Sequence, residues 1–110
     1  MNSVFCYGTL QDPEVQLDLI GRVCIGNVDS IDGFVVLRDY VDPEDGIAYP
    51  RLVEMSKGCV YGHIYKFTDE EIIRLDEYET EMYQRRYLKT NKDEIVQVYL
   101  PITLSCQPMT

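Results

Sequence analysis

Few residues in this chain combine a type and a spacing that chemistry could use, and Glu79 is the first of them. Thr68-Asp69-Glu70-Glu71 matches the S/T-x-x-E capping box and predicts a helix from Asp69 to about Glu79. At about 100° per residue, Ile72, Leu75 and Glu79 fall nearly on one line, with Asp76 beside it. Glu70, Arg74 and Glu77 project elsewhere. A carboxylate that continues an apolar stripe has two fates open to it. It can emerge into solvent at the helix end, where most glutamates lie. Alternatively, desolvation raises its pKa and leaves a loosely held proton near neutrality, as general acid/base work requires. Periodicity alone favours solvent. Asp76 shares the ambiguity, and a hydrogen bond to nearby backbone is its expected use.

The second candidate is Tyr7-Gly8-Thr9-Leu10, between a strand and a helix. Glycine allows the tight backbone that turns several N–H groups inward to form an anion-binding nest, and Thr9 adds a hydroxyl. Strand-turn-helix junctions also carry glycine for steric reasons alone, and that reading is favoured on this motif by itself. It is neither a G-x-x-x-x-G-K-[ST] loop nor a G-x-G-x-x-G fingerprint. Tyr83 and Arg85 lie just past the predicted helix and could reach its C-terminal end, whereas Arg86 reads as solvated. Cys6 as a nucleophile would need an activating base or cation, and no partner is visible. A buried structural thiol is expected. His63 lies mid-strand and is expected on a sheet face.

Short β segments and two short helices must position these groups. Ser3 to Tyr7 reads as a strand ending at Gly8. Asp12-Pro13 supplies an N-cap and a first-turn proline, and Gly21 a stop, so a helix lies between them. Residues 22–39 are β-prone but broken at Gly26-Asn27 and Asp32-Gly33, and Asp42-Pro43-Glu44-Asp45-Gly46 is a loop signal. Ile47 to Met55 is extended, with Pro50 implying an edge or irregular strand. Ser56-Lys57-Gly58 reads as a turn into a strand from Cys59 to Phe67. Tyr83 to Thr90 and Ile95 to Leu100 form a hairpin across Asn91-Lys92-Asp93. The expectation is one domain over residues 1–110, its core about 3–101, with a loose tail.

Composition narrows the classes. The 110 residues carry 10 Lys plus Arg against 19 Asp plus Glu, a net charge of -9. Such a surface repels nucleic-acid phosphates and anionic membranes, so neither is an expected partner. No apolar run approaches the roughly 18 residues of a membrane span. The start lacks the basic and apolar regions of a secretion signal, which points to the cytoplasm. The cysteines at 6, 24, 59 and 106 form no C-x-x-C pair and are expected as free thiols. One histidine makes a His-rich metal site or a serine-hydrolase triad improbable.

Several segments, taken in order, resemble the gamma-glutamylcyclotransferase-like superfamily. Tyr7-Gly8-Thr9-Leu10 matches its Y-G-[ST]-L loop, and Asp12-Pro13-Glu14-Val15 follows. Tyr49-Pro50-Arg51-Leu52-Val53 is similar to its Y-P-x-L-V strand, and residues 58–65 to its G-x-V-x-G-x-[IL]-Y strand. Leu75-Asp76-Glu77-Tyr78-Glu79 matches L-D-x-[YF]-E, with Tyr83-Gln84-Arg85 as the following Y-x-R. The set spans roughly residues 4–100, and its spacing is nearest the small gamma-glutamylamine cyclotransferase and avirulence-induced-gene-like members.

The resemblance implies a mixed α+β fold, a compact β-barrel with short helices outside. It also implies an enzyme of lyase or acyltransferase type that needs no metal or organic cofactor. The loop matching Tyr7 to Leu10 would bind the glutamyl carboxylate of a small γ-glutamyl substrate through backbone N–H groups. Glu79 would be the general base. It would free the substrate's α-amino group to attack its own γ-carbonyl, giving 5-oxoproline and an expelled amine. Tyr83 and Arg85 would shape the pocket or position its parts. Thr80 departs from the glycine that many members carry after the glutamate. A non-catalytic binding module of the same fold is the alternative, and an acidic surface for a basic partner a weaker third. None of these motifs reads the leaving amine.

Overall fold

The computed structural model describes residues 1–37 and 51–101, with the side chains of residues 37, 51 and 81 excepted. Strand β1 (Asn2–Cys6) leads through a single 3-10 turn, Thr9–Gln11, into α1 (Pro13–Ile20). Then come β2 (Asn27–Leu37), β3 (Arg51–Phe67), α2 (Asp69–Glu79), a second 3-10 turn (Thr80–Met82), and the hairpin of β4 (Tyr83–Lys89) and β5 (Ile95–Pro101). The sequence signals explain the helix ends. Asp12 accepts a hydrogen bond from the Glu14 amide at 2.9 Å, Pro13 starts α1, and Gly21 closes it in a left-handed conformation at φ 76.

The strands form one sheet in the order β2-β3-β1-β5-β4. All neighbours are antiparallel except β1 and β5, which are parallel. Alternation along the strands divides the buried side chains into two layers. Val4, Cys6, Tyr65, Phe67 and Tyr99 face the helices and pack with Ile72 and Leu75 of α2. Phe5, Tyr7, Ile31, Ile64, Val96 and Val98 fill the other face.

The sheet curls so that its two ends meet at one corner. In the β4–β5 turn the Asn91 amide donates to the Ser30 carbonyl of β2 at 2.9 Å, and Lys92 Nζ to the Val28 carbonyl at 2.9 Å. The barrel expected from the resemblance is thus a five-stranded half-barrel, stitched by a turn rather than by a continuous ladder. Among the described residues no helix is long and apolar enough to cross a membrane.

Two local expectations are corrected. Ser56-Lys57-Gly58 is not a turn, because β3 runs unbroken through it. Gly58 serves close approach instead: a Cβ there would collide with the Phe34 carbonyl oxygen of β2. Asp32-Gly33 likewise does not end a strand. It forms an irregularity inside β2 where the pairing register shifts, with Gly33 at φ 91. The loop expected at 42–46, the extended stretch 47–50 with Pro50, Tyr49 of the Y-P-x-L-V match, and the tail with Cys106 lie outside the described residues.

Candidate active site

Helix α2 carries the central carboxylate, and its start is built as the capping box predicts. The Glu71 amide donates to Thr68 Oγ1 at 3.1 Å, and the Thr68 amide donates to Glu71 Oε1 at 2.9 Å. Arg22 grips the same Glu71 with two bonds of 2.7 and 2.8 Å. These bonds from the guanidinium, more than any other cause, hold the Glu71 carboxyl down at about 2. From that anchor the stripe runs inward through Ile72 and Leu75, both buried against the helix-side layer.

Glu79 ends the stripe half-buried. Among the described residues no hydrogen bond or ion pair reaches its carboxylate. Desolvation therefore acts unopposed and pushes the group up to about 7. Its charge is felt by Cys6 at the end of β1 and by Tyr99 on β5. Burial, reinforced by the Glu79 charge, keeps the Cys6 thiol far above the ordinary thiol range, so it stays protonated and matches the structural reading.

The Tyr7–Leu10 loop follows Cys6 directly. No protein acceptor among the described residues takes the N–H groups of Gly8, Thr9 or Leu10. Their carbonyls are engaged: Gly8 and Thr9 accept from the Gln11 and Asp12 amides at 3.1 and 2.9 Å, and Leu10 from Gln16 Nε2 at 2.8 Å. Three consecutive amides are thus left to donate to an anion. The side chains mostly turn away from that task. Leu10 is buried in the helix-side core, and Tyr7 lies in the opposite layer with its hydroxyl donating to the Tyr99 carbonyl at 2.7 Å. Thr9 Oγ1 meets the Tyr78 hydroxyl at 2.7 Å, which ties the loop to the last turn of α2.

Further contacts hold the loop in place. Gln16 of α1 is buried and clamps the Leu10 carbonyl, and His63 of β3 donates from Nδ1 to Gln11 Oε1 at 2.8 Å. His63 therefore stands on the sheet as expected and steadies the 3-10 turn.

Asp76 departs from its expected backbone partner. Its carboxylate instead accepts from Arg85 at 2.8 and 3.0 Å and from the Tyr99 hydroxyl at 2.6 Å. Arg85 also donates to Gln97. Tyr83 is half-buried against the helix-side core. A cavity of ≈ 340 Å³ adjoins this region, walled by Asp76, Thr80, Tyr83, Arg85, Gln97 and Tyr99 among others. Neither Glu79 nor the loop lines it. The Thr9–Tyr78 bond and the Glu79 charge felt at Cys6 bring the end of α2 beside the loop, so Glu79 and the loop are taken as the candidate site, separate from the cavity lining.

Tyr78 and Tyr99 had no part in the sequence reading of the site. The aromatic position of L-D-x-[YF]-E was the available signal for Tyr78. Nothing in sequence spacing marks Tyr99. Among the described residues no group of three or more His, Cys, Asp or Glu side chains is placed to hold a metal.

Thr80 takes φ 64 and ψ -169, a region that side chains with a Cβ rarely enter. The chain path past Glu79 is thus one natural to glycine, imposed here on a β-branched residue. Thr80→Gly is expected to raise stability by about 1 kcal/mol, the strain of roughly 1–3 kcal/mol less the added chain entropy of glycine. Urea denaturation checks this, and a loss of stability would contradict it.

The assembled geometry is a curled half-barrel in which a desolvated carboxylate ends a helix that is tied, through Tyr78 and Thr9, to a loop whose amides find no acceptor among the described residues. Residues 4–107 match the family model described as "Gamma-glutamyl cyclotransferase, AIG2-like". The chain belongs to that family. An AIG2-like protein C of Arabidopsis thaliana is 34% identical over 99 residues, which cover 86% of this chain and 55% of that protein. The chain thus spans about half the length of this curated relative. A solution structure from Arabidopsis thaliana superposes with TM-score 0.77 at 28% identity, covering 92% of this chain and 68% of the other. The crystal structure of an AIG2-like protein from Mus musculus gives TM-score 0.72 at 27% identity, covering 94% and 78%.

Proposed function

We propose that this protein is a cyclotransferase that converts a γ-glutamyl amine or γ-glutamyl amino acid to 5-oxoproline and a free amine. The observation that carries the reading is Glu79, a carboxylate with no hydrogen-bond or ion-pair partner among the described residues, raised by desolvation to about 7 one residue after Tyr78, which bonds the loop at Thr9. The amides of Gly8, Thr9 and Leu10 hold the substrate's α-carboxylate, with the Thr9 hydroxyl beside them.

Glu79 removes a proton from the substrate's α-amino nitrogen, whose lone pair then attacks the γ-carbonyl carbon. The new C–N bond closes a five-membered lactam. The bond from the γ-carbon to the leaving nitrogen breaks, and protonated Glu79 returns its proton to that nitrogen. A base near 7 is suited to both transfers. The nucleophile and electrophile belong to one molecule, so closure gains the effective-molarity advantage of an intramolecular reaction. Tyr83 and Arg85 act from the side as walls and supports.

The test is 5-oxoproline release from γ-glutamyl dipeptides, γ-glutamyl-ε-lysine and glutathione, with native protein beside Glu79→Gln. Release that disappears in the variant supports the reading. Thermal stabilisation by these compounds without product supports the binding module instead.

A further inference from the structure

The role of Asp76 follows from where its partners lie. Asp76 and Glu79 are three residues apart on α2, so they are neighbours on one helix face, about 5–6 Å between Cβ atoms. The Arg85 guanidinium bonded to Asp76 by two bonds therefore sits one turn from Glu79, yet makes no bond to it. Tyr99 ties this arrangement to the loop. Its hydroxyl donates to Asp76 and its carbonyl accepts from Tyr7, so one residue of β5 fixes both halves of the site.

We propose that Asp76 is a positioning residue that sequesters the Arg85 charge from Glu79 and, through Tyr99, sets the spacing between Glu79 and the Tyr7–Leu10 loop. The proposal rests on Glu79 being the base assigned above. Of the ionisable groups around the end of α2, the Cys6 thiol of β1 and the Tyr99 phenol of β5 are both raised by burial and stay neutral. The Tyr83 phenol of β4 is half-buried in the same region. Glu77 on the same helix is exposed and projects elsewhere, and the charged pair beside Glu79 among the described side chains is Asp76 and Arg85, which cancel one another. Burial works to raise the Asp76 carboxyl, but the bonds from Arg85 and Tyr99 overcome it and hold it below its ordinary value, so Asp76 is ionised whenever Glu79 titrates. Glu79 therefore meets a neutral pair rather than a cation that would hold it ionised.

The experiment is a carbon-13 carboxyl NMR titration of Glu79 in native protein, Asp76→Asn, Arg85→Gln and the double variant. Removing Asp76 leaves Arg85 unpaired beside Glu79, and the Glu79 midpoint should fall by at least about half a unit, roughly threefold in proton affinity. Removing Arg85 leaves an unpaired carboxylate there, and the midpoint should rise by a similar amount. The double variant should return close to the native value.

Opposite displacements support the proposal. Equal displacements, or none, would overturn it, because a merely structural pair loosens the site in the same way from either side. If Asp76→Asn does not fold, Arg85→Gln alone decides: a rise supports the proposal, and a fall or no change overturns it. The midpoints are read without substrate. Absence of 5-oxoproline release by the native protein would count against the base assignment instead, and the two failures remain distinguishable.

Discussion

Replacing Glu79 with glutamine should abolish turnover and, above neutral pH, make the protein more stable. The catalytic loss follows from removing the proton acceptor proposed for the reaction, a contribution worth typically 10²–10⁴-fold. The stability gain follows from the same desolvation that tunes the group. Glu79 is raised to about 7 in the folded chain, against about 4.3 for an unperturbed glutamate. Between those values the unfolded chain has released its proton while the folded chain keeps it. Folding stability therefore falls as pH rises from about 4.3 to 7, and the loss is complete above that.

Glutamine never ionises and escapes this loss. Its advantage should be near zero at pH 4 and on the order of 3 kcal/mol at pH 8, visible as a Tm several degrees higher. Thermal unfolding of both proteins at the two pH values checks it. Equal Tm at pH 8 would mean that Glu79 is hydrated in the native state. The Arg22–Glu71 pair gives a control of opposite sign, since its depressed carboxyl stabilises the fold above about pH 4.3 and loses that effect as pH falls toward 2. Both variants retain it, so it cancels in the comparison.

Leu75→Ala should have the largest effect on folding and should reach the site as well. Leu75 is 1% exposed and packs α2 onto the sheet one turn before Glu79. Its truncation is expected to cost about 2–5 kcal/mol, according to how far the surroundings collapse into the space. Any loosening of α2 admits water to the Glu79 carboxylate and lowers its midpoint toward the ordinary range. Urea denaturation gives the first quantity, and the pH dependence of 5-oxoproline release the second. Loss of stability with an unchanged acid limb would show that Glu79 does not depend on this packing for its desolvation.

Both predictions draw on a feature legible in the sequence. The capping box located the start of α2, and helical spacing then placed Glu79 on the buried stripe of Ile72 and Leu75. The limits of α1 were similarly legible, because Asp12, Pro13 and Gly21 act through local backbone chemistry. Local rules failed where glycine serves a distant neighbour. Gly58 reads as a turn beside Ser56 and Lys57, whereas its missing Cβ makes room for the Phe34 carbonyl of another strand.

The supports of the site were hidden for a related reason. Tyr99 lies 23 residues from Asp76 and 92 from Tyr7, and it is the pairing of β5 beside β1 together with the packing of α2 on the sheet that brings the three together. Periodicity could suggest that Asp76 lay beside the stripe, but not that Arg85 and Tyr99 would take its carboxylate. The corner contact between the β4–β5 turn and β2, which curls the sheet, is equally a product of topology.

The assignment of Glu79 as the base rests on burial raising it to about 7 at the end of a helix tied to the Tyr7–Leu10 loop through Tyr78 and Thr9. A carbon-13 carboxyl titration of Glu79 in the native protein tests it most directly. A midpoint of about 7 is expected, and one near the ordinary 4.3 would contradict the assignment.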